Sequence, residues 1–196
     1  MAARRRGPPV RSAAGARLDR GRNPGLSTPA APGTSPCPGC GEILVVVDGA
    51  THPYVGASSA CWTRFAEINA SLPRAGAGPL QRLVTDAYMV QHPGVPERRA
   101  IQSVGLHLVA LCLVLEHGFG VDRLSATLAG LLARPPAWRW LEPPVPNGTS
   151  TVGDAWAAAG RGEVAAGIDG YVRGVWAAWS AWHPVVDGWV REAGLG

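Results

Sequence analysis

Apolar residues recur at helical spacing along most of the chain beyond residue 79. In LQRLVTDAYMVQ, residues 80–91, they return every three or four positions, which predicts a helix that ends before Pro93. Residues 99–117 include VGLHLVALCLVLE, which is apolar on nearly every face. This run predicts a central buried helix ended by Gly118. The pattern therefore predicts a mainly α fold, a helical bundle-like domain of five to seven helices.

Five weaker patterns complete the predicted helices. Thr151 and Asp154 form a capping box, with Asp in place of the usual Glu or Gln, and open one of them. Ser58 or Ser59 can cap a short helix that begins near Cys61. Further helices are predicted over residues 122–133, 163–183 and 185–193, the last two separated by Pro184.

Residues 36–62 carry a different pattern. CPGCG, residues 37–41, is followed directly by EILVVVDG, which predicts a strand over residues 43–47 and a turn at Asp48-Gly49. Residues 1–35 lack apolar periodicity and are rich in Arg, Pro and Gly, which predicts a disordered tail. The chain is thus expected to have this tail and one helical domain, 36–196, with a metal-knuckle segment at 36–62 and helices over 79–193.

Charge changes the picture of possible partners. Residues 1–35 hold seven arginines against one acid, whereas the rest of the chain holds 11 arginines against 13 acids. The domain is therefore mildly acidic, and nucleic acid is not an expected partner for it. The N-terminus has no apolar signal segment, and the longest apolar run, residues 104–115, is short for a membrane span. We expect a cytoplasmic protein that does not enter a membrane.

The two thiols of CPGCG are the strongest chemical signal. The two-residue gap lets both sulfurs face one point, as in tetrahedral zinc sites. His52 and Cys61 follow in the same segment and complete a primary zinc set of Cys37, Cys40, His52 and Cys61. A redox pair and two structural thiols without metal are the alternatives. Cys112 lies within the apolar helix and is expected to be a core residue.

A second group of polar residues lies on the predicted helices. An alternative metal site could be formed by Asp86, His92, His107 and His183. The simpler interpretation is that His107 hydrogen-bonds to Asp86 or Gln102 within the core. In that interpretation His92 and His183 are helix-end residues that pair with backbone carbonyls.

Several motifs together resemble a bacterial protein family of unknown function. They are CPGCG, THPY, CW, DAYMVQHPG, IQSVGLHL, WLEPP and VWAAWSAWH, spread over residues 36–191. The resemblance implies no particular activity. The positions of this chain that match the family pattern include Cys37, Cys40, His52, Cys61, Asp86, His92, Gln102, His107 and His183.

Three functional hypotheses follow. The first is a structural zinc site that supports a binding or regulatory role. The alternative is a metal-dependent, hydrolase-like enzyme that uses the helix-borne histidines to activate water. The third is nucleophilic chemistry at Cys61 with His52 or His92 as the base. The sequence leaves open whether the protein is an enzyme, and it names no substrate or partner.

Overall fold

The computed structural model describes residues 33–196 of the chain. These residues form seven α-helices, one short 3₁₀ helix and one two-stranded hairpin, so the predicted mainly α fold is confirmed. The elements are β1 (Thr34–Pro36), β2 (Ile43–Val45), α1 (Ser59–Ser71), α2 (Leu80–Gln91), α3 (Arg98–Leu115), α4 (Val121–Ala133), α5 (Val152–Gly160), α6 (Val164–Ala178), the 3₁₀ helix (Ser180–Trp182) and α7 (His183–Glu192).

The hairpin contains a strand that the sequence did not predict. β1 pairs with β2 in antiparallel register, with Ser35 opposite Leu44. The predicted boundary between tail and domain, after residue 35, therefore falls inside β1. The predicted strand over residues 43–47 ends at Val45. Most of the predicted disordered tail, residues 1–32, lies outside the described part of the chain.

The central helix is α3, as predicted. Leu108, Leu111 and Leu113 are fully buried in a core shared with α2, α4 and α7. Among the described residues, α3 is the one helix that is long and apolar enough to cross a membrane by length and composition alone. Half of α3 is buried within the fold. The core helix of a protein outside the membrane can meet the same criteria of length and composition.

The predicted helix over residues 163–183 is interrupted, which corrects the prediction. α6 ends at Ala178, a 3₁₀ turn follows, and α7 begins at His183 with Pro184 in its first turn. Proline lacks an N–H and clashes with a preceding helical turn, whereas the first turn of a helix needs no such donor. Pro184 thus lies in the first turn of the last helix, and the break lies about one turn earlier than expected.

A buried polar network fixes the carboxyl end of α2. The Gln91 side-chain amide donates to the carbonyls of Asn147 (2.9 Å) and Ser150 (2.8 Å). The Asn147 amide donates back to the Gln91 carbonyl at 2.7 Å, and the Tyr171 hydroxyl donates to Gln91 Oε1 at 3.1 Å. These hydrogen bonds tie the end of α2 to the loop at residues 147–150 and to α6, so the backbone is held where His92 follows it.

Candidate metal centre

Cys37 and Cys40 lie in the turn that joins β1 to β2. The Cys37 N–H donates to the Glu42 carbonyl at 2.8 Å, and the Gly41 N–H donates to the Cys37 carbonyl at 2.9 Å. Gly41 has a φ of +75°, a left-handed conformation that glycine adopts without strain. The small residues of CPGCG thus allow the tight turn that presents both thiols.

Cys61 enters the site from the first turn of α1. The Ser58 hydroxyl caps this helix by accepting from the Cys61 N–H at 3.3 Å. The Ser58 N–H itself donates to Cys37 Sγ at 3.4 Å. Cys61 is fully buried, and its position in the first turn of α1 brings its sulfur to the hairpin turn.

His92 follows the last residue of α2 and is also fully buried. Its Nδ1 lies 2.8 Å from the Tyr88 carbonyl, which can only accept, so Nδ1 carries the proton. Its ring stacks on that of Tyr88 with 4.0 Å between centroids. Nε2 therefore presents its lone pair to the sulfurs, 3.4 Å from Cys61 Sγ. In metal sites of proteins, the ring nitrogen that does not bind the metal commonly donates such a hydrogen bond, which orients the imidazole.

The ligand atoms of Cys37, Cys40, Cys61 and His92 all lie within 4.8 Å of one another. Cys40 Sγ and Cys61 Sγ are 3.9 Å apart. With ordinary zinc bond lengths, a tetrahedral site has sulfur–sulfur edges of about 3.8 Å and sulfur–nitrogen edges of about 3.6 Å. The Cys40 Sγ–Cys61 Sγ distance of 3.9 Å and the Cys61 Sγ–His92 Nε2 distance of 3.4 Å are close to those values. The group could therefore hold one metal ion with little rearrangement.

The three thiols are electrostatically coupled. Hydrogen bonds from Cys40 and Cys61 lower the pKa of Cys37. The same interaction raises the pKa of Cys40 to about 12, and it raises the pKa of Cys61 as well. A bound cation would compensate the charge of all three thiolates.

Tyr88 adds a donor to the sulfur group. Its hydroxyl lies 3.5 Å from Cys61 Sγ, and burial raises the pKa of this phenol, so it stays protonated. The ring also stacks on Phe65 with centroids 4.0 Å apart. Tyr88 thus supports the site through its ring, its carbonyl and its hydroxyl.

His52 of the primary set lies outside the group, which corrects the predicted placement. Its ring packs edge-on against Tyr54 with centroids 4.2 Å apart, and tilted against Trp62. Its buried Nδ1 has no hydrogen-bond partner among the described residues. His52 was chosen because it is close along the chain, but the segment after β2 takes it to an aromatic cluster. His92 occupies the fourth position instead.

The alternative set of Asp86, His92, His107 and His183 is not assembled. His107 Nδ1 lies 2.7 Å from Asp86 Oδ1, the core pairing that the simpler interpretation expected. His183 stacks on Trp176 and its Nε2 donates to the Trp176 carbonyl at 3.0 Å. His92 belongs to the sulfur group. These three imidazoles therefore have separate partners and do not converge on one point.

A second cluster of possible ligand atoms consists of Cys112, His117 and Asp187. His117 Nε2 lies 3.3 Å from Asp187 Oδ1, and Arg191 pairs with the same carboxylate. Burial, together with the negative charges of Asp187 and Glu116, raises the pKa of Cys112 to about 12. A neutral thiol beside a carboxylate that already pairs with Arg191 and His117 is a poor metal site, and Cys112 is the core residue that was expected.

Gly39 is a residue whose role the sequence analysis missed. A Cβ at this position would lie 2.4 Å from Cδ2 of His92 and 2.8 Å from the Gly56 carbonyl oxygen. Only glycine lets the CPGCG turn approach the imidazole so closely. The glycine between the two cysteines was visible in the sequence, but the residue that approaches it was not.

Fold and site together define the class: a mainly helical protein in which a small hairpin, α1 and the end of α2 surround three cysteines and one histidine. The chain belongs to a family of unknown function (DUF5946), whose pattern matches residues 35–180. The resemblance noted from the sequence motifs is thereby confirmed. Comparisons with curated proteins and with solved structures give no significant match.

Proposed function

We propose that Cys37, Cys40, Cys61 and His92 bind one zinc ion in a structural site, and that the protein acts by binding a partner. The observation that carries this proposal is the complete set of four protein ligand atoms within 4.8 Å of one another. Structural zinc sites have four protein ligands, whereas catalytic sites leave one position for water or substrate. With all four positions filled from the chain, the ion has no open position at which to activate water.

The donor set supports zinc over other metals. Three thiolates and one neutral imidazole are soft to intermediate donors, and zinc takes them in tetrahedral geometry. A cluster of two or more irons would distribute its protein ligands over several ions, whereas these four atoms fit around one. Thiols kept reduced for metal binding also suit the cytoplasm, the compartment expected from the sequence.

The location of the site supports a stabilising role. The ligands come from the hairpin turn, the first turn of α1 and the residue after α2. A two-stranded hairpin is marginally stable by itself in water, and this one has only three residues in each strand. Zinc would connect the hairpin to two helices of the core and contribute its binding free energy to folding.

A groove next to the site supports a binding role. It has a volume of about 550 Å³, and the CPGCG turn forms one of its walls. The opposite walls are loops rich in proline, residues 93–95 and 143–147, and Val145 is 97% exposed. A zinc ion that holds the turn would keep this groove in shape without taking part in chemistry.

Metal analysis of the purified protein tests the proposal. We expect about one zinc per chain in the wild type and in Cys112→Ser, which changes a buried cysteine outside the group. Cys40→Ser should lose the zinc and melt at a lower temperature. Absence of zinc from the wild type after expression in zinc-supplemented medium, or full retention by Cys40→Ser, would contradict the proposal.

A further inference from the structure

A second cavity, apart from the sulfur group, is built around His107. Its volume is about 330 Å³, and it lies between α3, the end of α4 and the loop after the hairpin. It is lined by Tyr54, Arg99, Gln102, Ser103, Leu106, His107 and Leu132. The geometry points to a binding site for a small oxyanion, a carboxylate or phosphate group, held by the Arg99 guanidinium and the Ser103 hydroxyl, with His107 in the wall beside them.

His107 is held in one orientation from behind. Its Nδ1 lies 2.7 Å from Oδ1 of Asp86, a fully buried carboxylate, and the Arg82 guanidinium donates to the other oxygen at 2.9 Å. Because Asp86 accepts from the N–H at Nδ1, Nε2 is left with a lone pair, which can accept a hydrogen bond from a protonated oxygen of a ligand such as phosphate. No described residue hydrogen-bonds to Nε2, and the ring forms part of the cavity wall.

The polar groups of the wall suit a negative ligand. They comprise a guanidinium, an amide, two hydroxyl groups and the imidazole, and no carboxylate belongs to the lining. Arg99 has no carboxylate within salt-bridge distance among the described residues, in contrast to Arg64, Arg82 and Arg173. Residues 99, 103 and 107 follow one another at intervals of four on α3, so they share one face of the helix. Positive charge and hydrogen-bond donors thus converge on one small space.

A contribution to stability does not readily explain why Asp86 is buried against His107 and Arg82. Taking a carboxylate fully out of water is costly, and buried ion pairs are often replaceable by apolar residues without loss of stability. A buried Asp86 that orients a histidine toward a cavity is instead typical of binding and catalytic sites. A cavity of this volume is at the lower end of the range for small-molecule sites, so the ligand must be small.

Ligand titration followed by NMR of the histidine ring protons tests the inference. The full-length protein would be titrated with inorganic phosphate and, separately, with acetate, at ionic strength held constant with sodium chloride. We expect a saturable shift of the His107 signals, which are assigned from their absence in His107→Gln. The anion that saturates at lower concentration identifies whether phosphate or carboxylate is preferred.

Two substitutions localise the binding. Arg99→Gln should weaken it about tenfold, since a charge-assisted hydrogen bond is lost, and Ser103→Ala should weaken it less. Arg173→Gln is the matched control, because it removes an exposed charge on α6 that pairs with Asp169, and it should bind as the wild type does. Absence of any saturable shift with either anion, or equal binding by Arg99→Gln and Arg173→Gln, would overturn the inference.

Discussion

His92 Nε2 lies 3.4 Å from Cys61 Sγ, although 31 residues separate the two in the chain. This contact joins the end of α2 to the beginning of α1 and completes a group of three sulfurs and one nitrogen. The four atoms are close enough together for one tetrahedral ion. The zinc hypothesis therefore rests on an arrangement that tertiary folding creates.

The first prediction distinguishes the two candidate histidines. His92→Asn should lose most of the bound zinc and melt at a lower temperature, because the fourth ligand and its hydrogen bond to the Tyr88 carbonyl are both removed. His52→Asn should retain about one zinc per chain, since His52 packs in an aromatic cluster away from the sulfurs. Metal analysis and thermal unfolding of both variants check this. Retention of zinc by His92→Asn together with its loss from His52→Asn would instead identify His52 as the fourth ligand.

The second prediction concerns Gly39. Gly39→Ala places a Cβ where the imidazole of His92 and the carbonyl of Gly56 now lie, so the turn must move. We expect the free energy of unfolding to fall by about 1–3 kcal/mol, with weaker zinc binding. Gly33→Ala is the control in the same hairpin, because a Cβ there meets nothing within 4 Å. Denaturant unfolding of the two variants should separate them clearly, and equal stabilities would contradict the close approach.

The third prediction concerns the hydrogen bond from Tyr88 to Cys61. Tyr88→Phe keeps the ring that stacks on His92 and removes only the hydroxyl 3.5 Å from Cys61 Sγ. Loss of a partner that surrounds a metal ligand typically weakens metal binding 10-fold to 100-fold, and we expect an effect near the lower limit. Competition with a chromophoric zinc chelator measures it. An affinity equal to that of the wild type would show that this hydroxyl does not support the site.

The fourth prediction is a pH dependence that arises at Cys112. Its pKa is raised to about 12 by burial, whereas an unfolded thiol titrates near 8.5, so the thiol favours folding only while it stays protonated. This contribution is complete below pH 8.5 and is lost as the pH rises toward 12. Between pH 9 and 10 the wild type should therefore lose about 1 kcal/mol more unfolding free energy than Cys112→Ala. Chemical denaturation of both proteins at the two pH values checks the difference, and parallel losses would contradict it.

The helices were predictable because their signals are local. The apolar spacing of residues 80–91 gave the bounds of α2, and the Thr151–Asp154 capping box opens α5 as expected. The break after Ala178 was placed too late, because proline is tolerated in the first turn of a helix and the sequence alone does not show which turn that is. β1 was missed since its three residues, Thr34–Pro36, show no apolar alternation.

The candidate site was only partly predictable, because only some of its residues lie close together along the chain. The CPGCG spacing brings Cys37 and Cys40 together locally, and Cys61 follows within the same segment. His92 comes from the end of another helix, so its approach depends on how α1 and α2 pack. Spacing along the chain favoured His52, which shows that ligands separated by a helix cannot be assigned by sequence distance.

X-ray absorption at the zinc edge of the purified protein tests the central claim most directly, because it counts the atoms bound to the metal. The proposed zinc site predicts three sulfurs at about 2.3 Å and one nitrogen at about 2.0 Å, with no bound water. Two sulfurs with additional nitrogen or oxygen ligands, or a coordinated water in place of the imidazole, would contradict a closed site formed by Cys37, Cys40, Cys61 and His92.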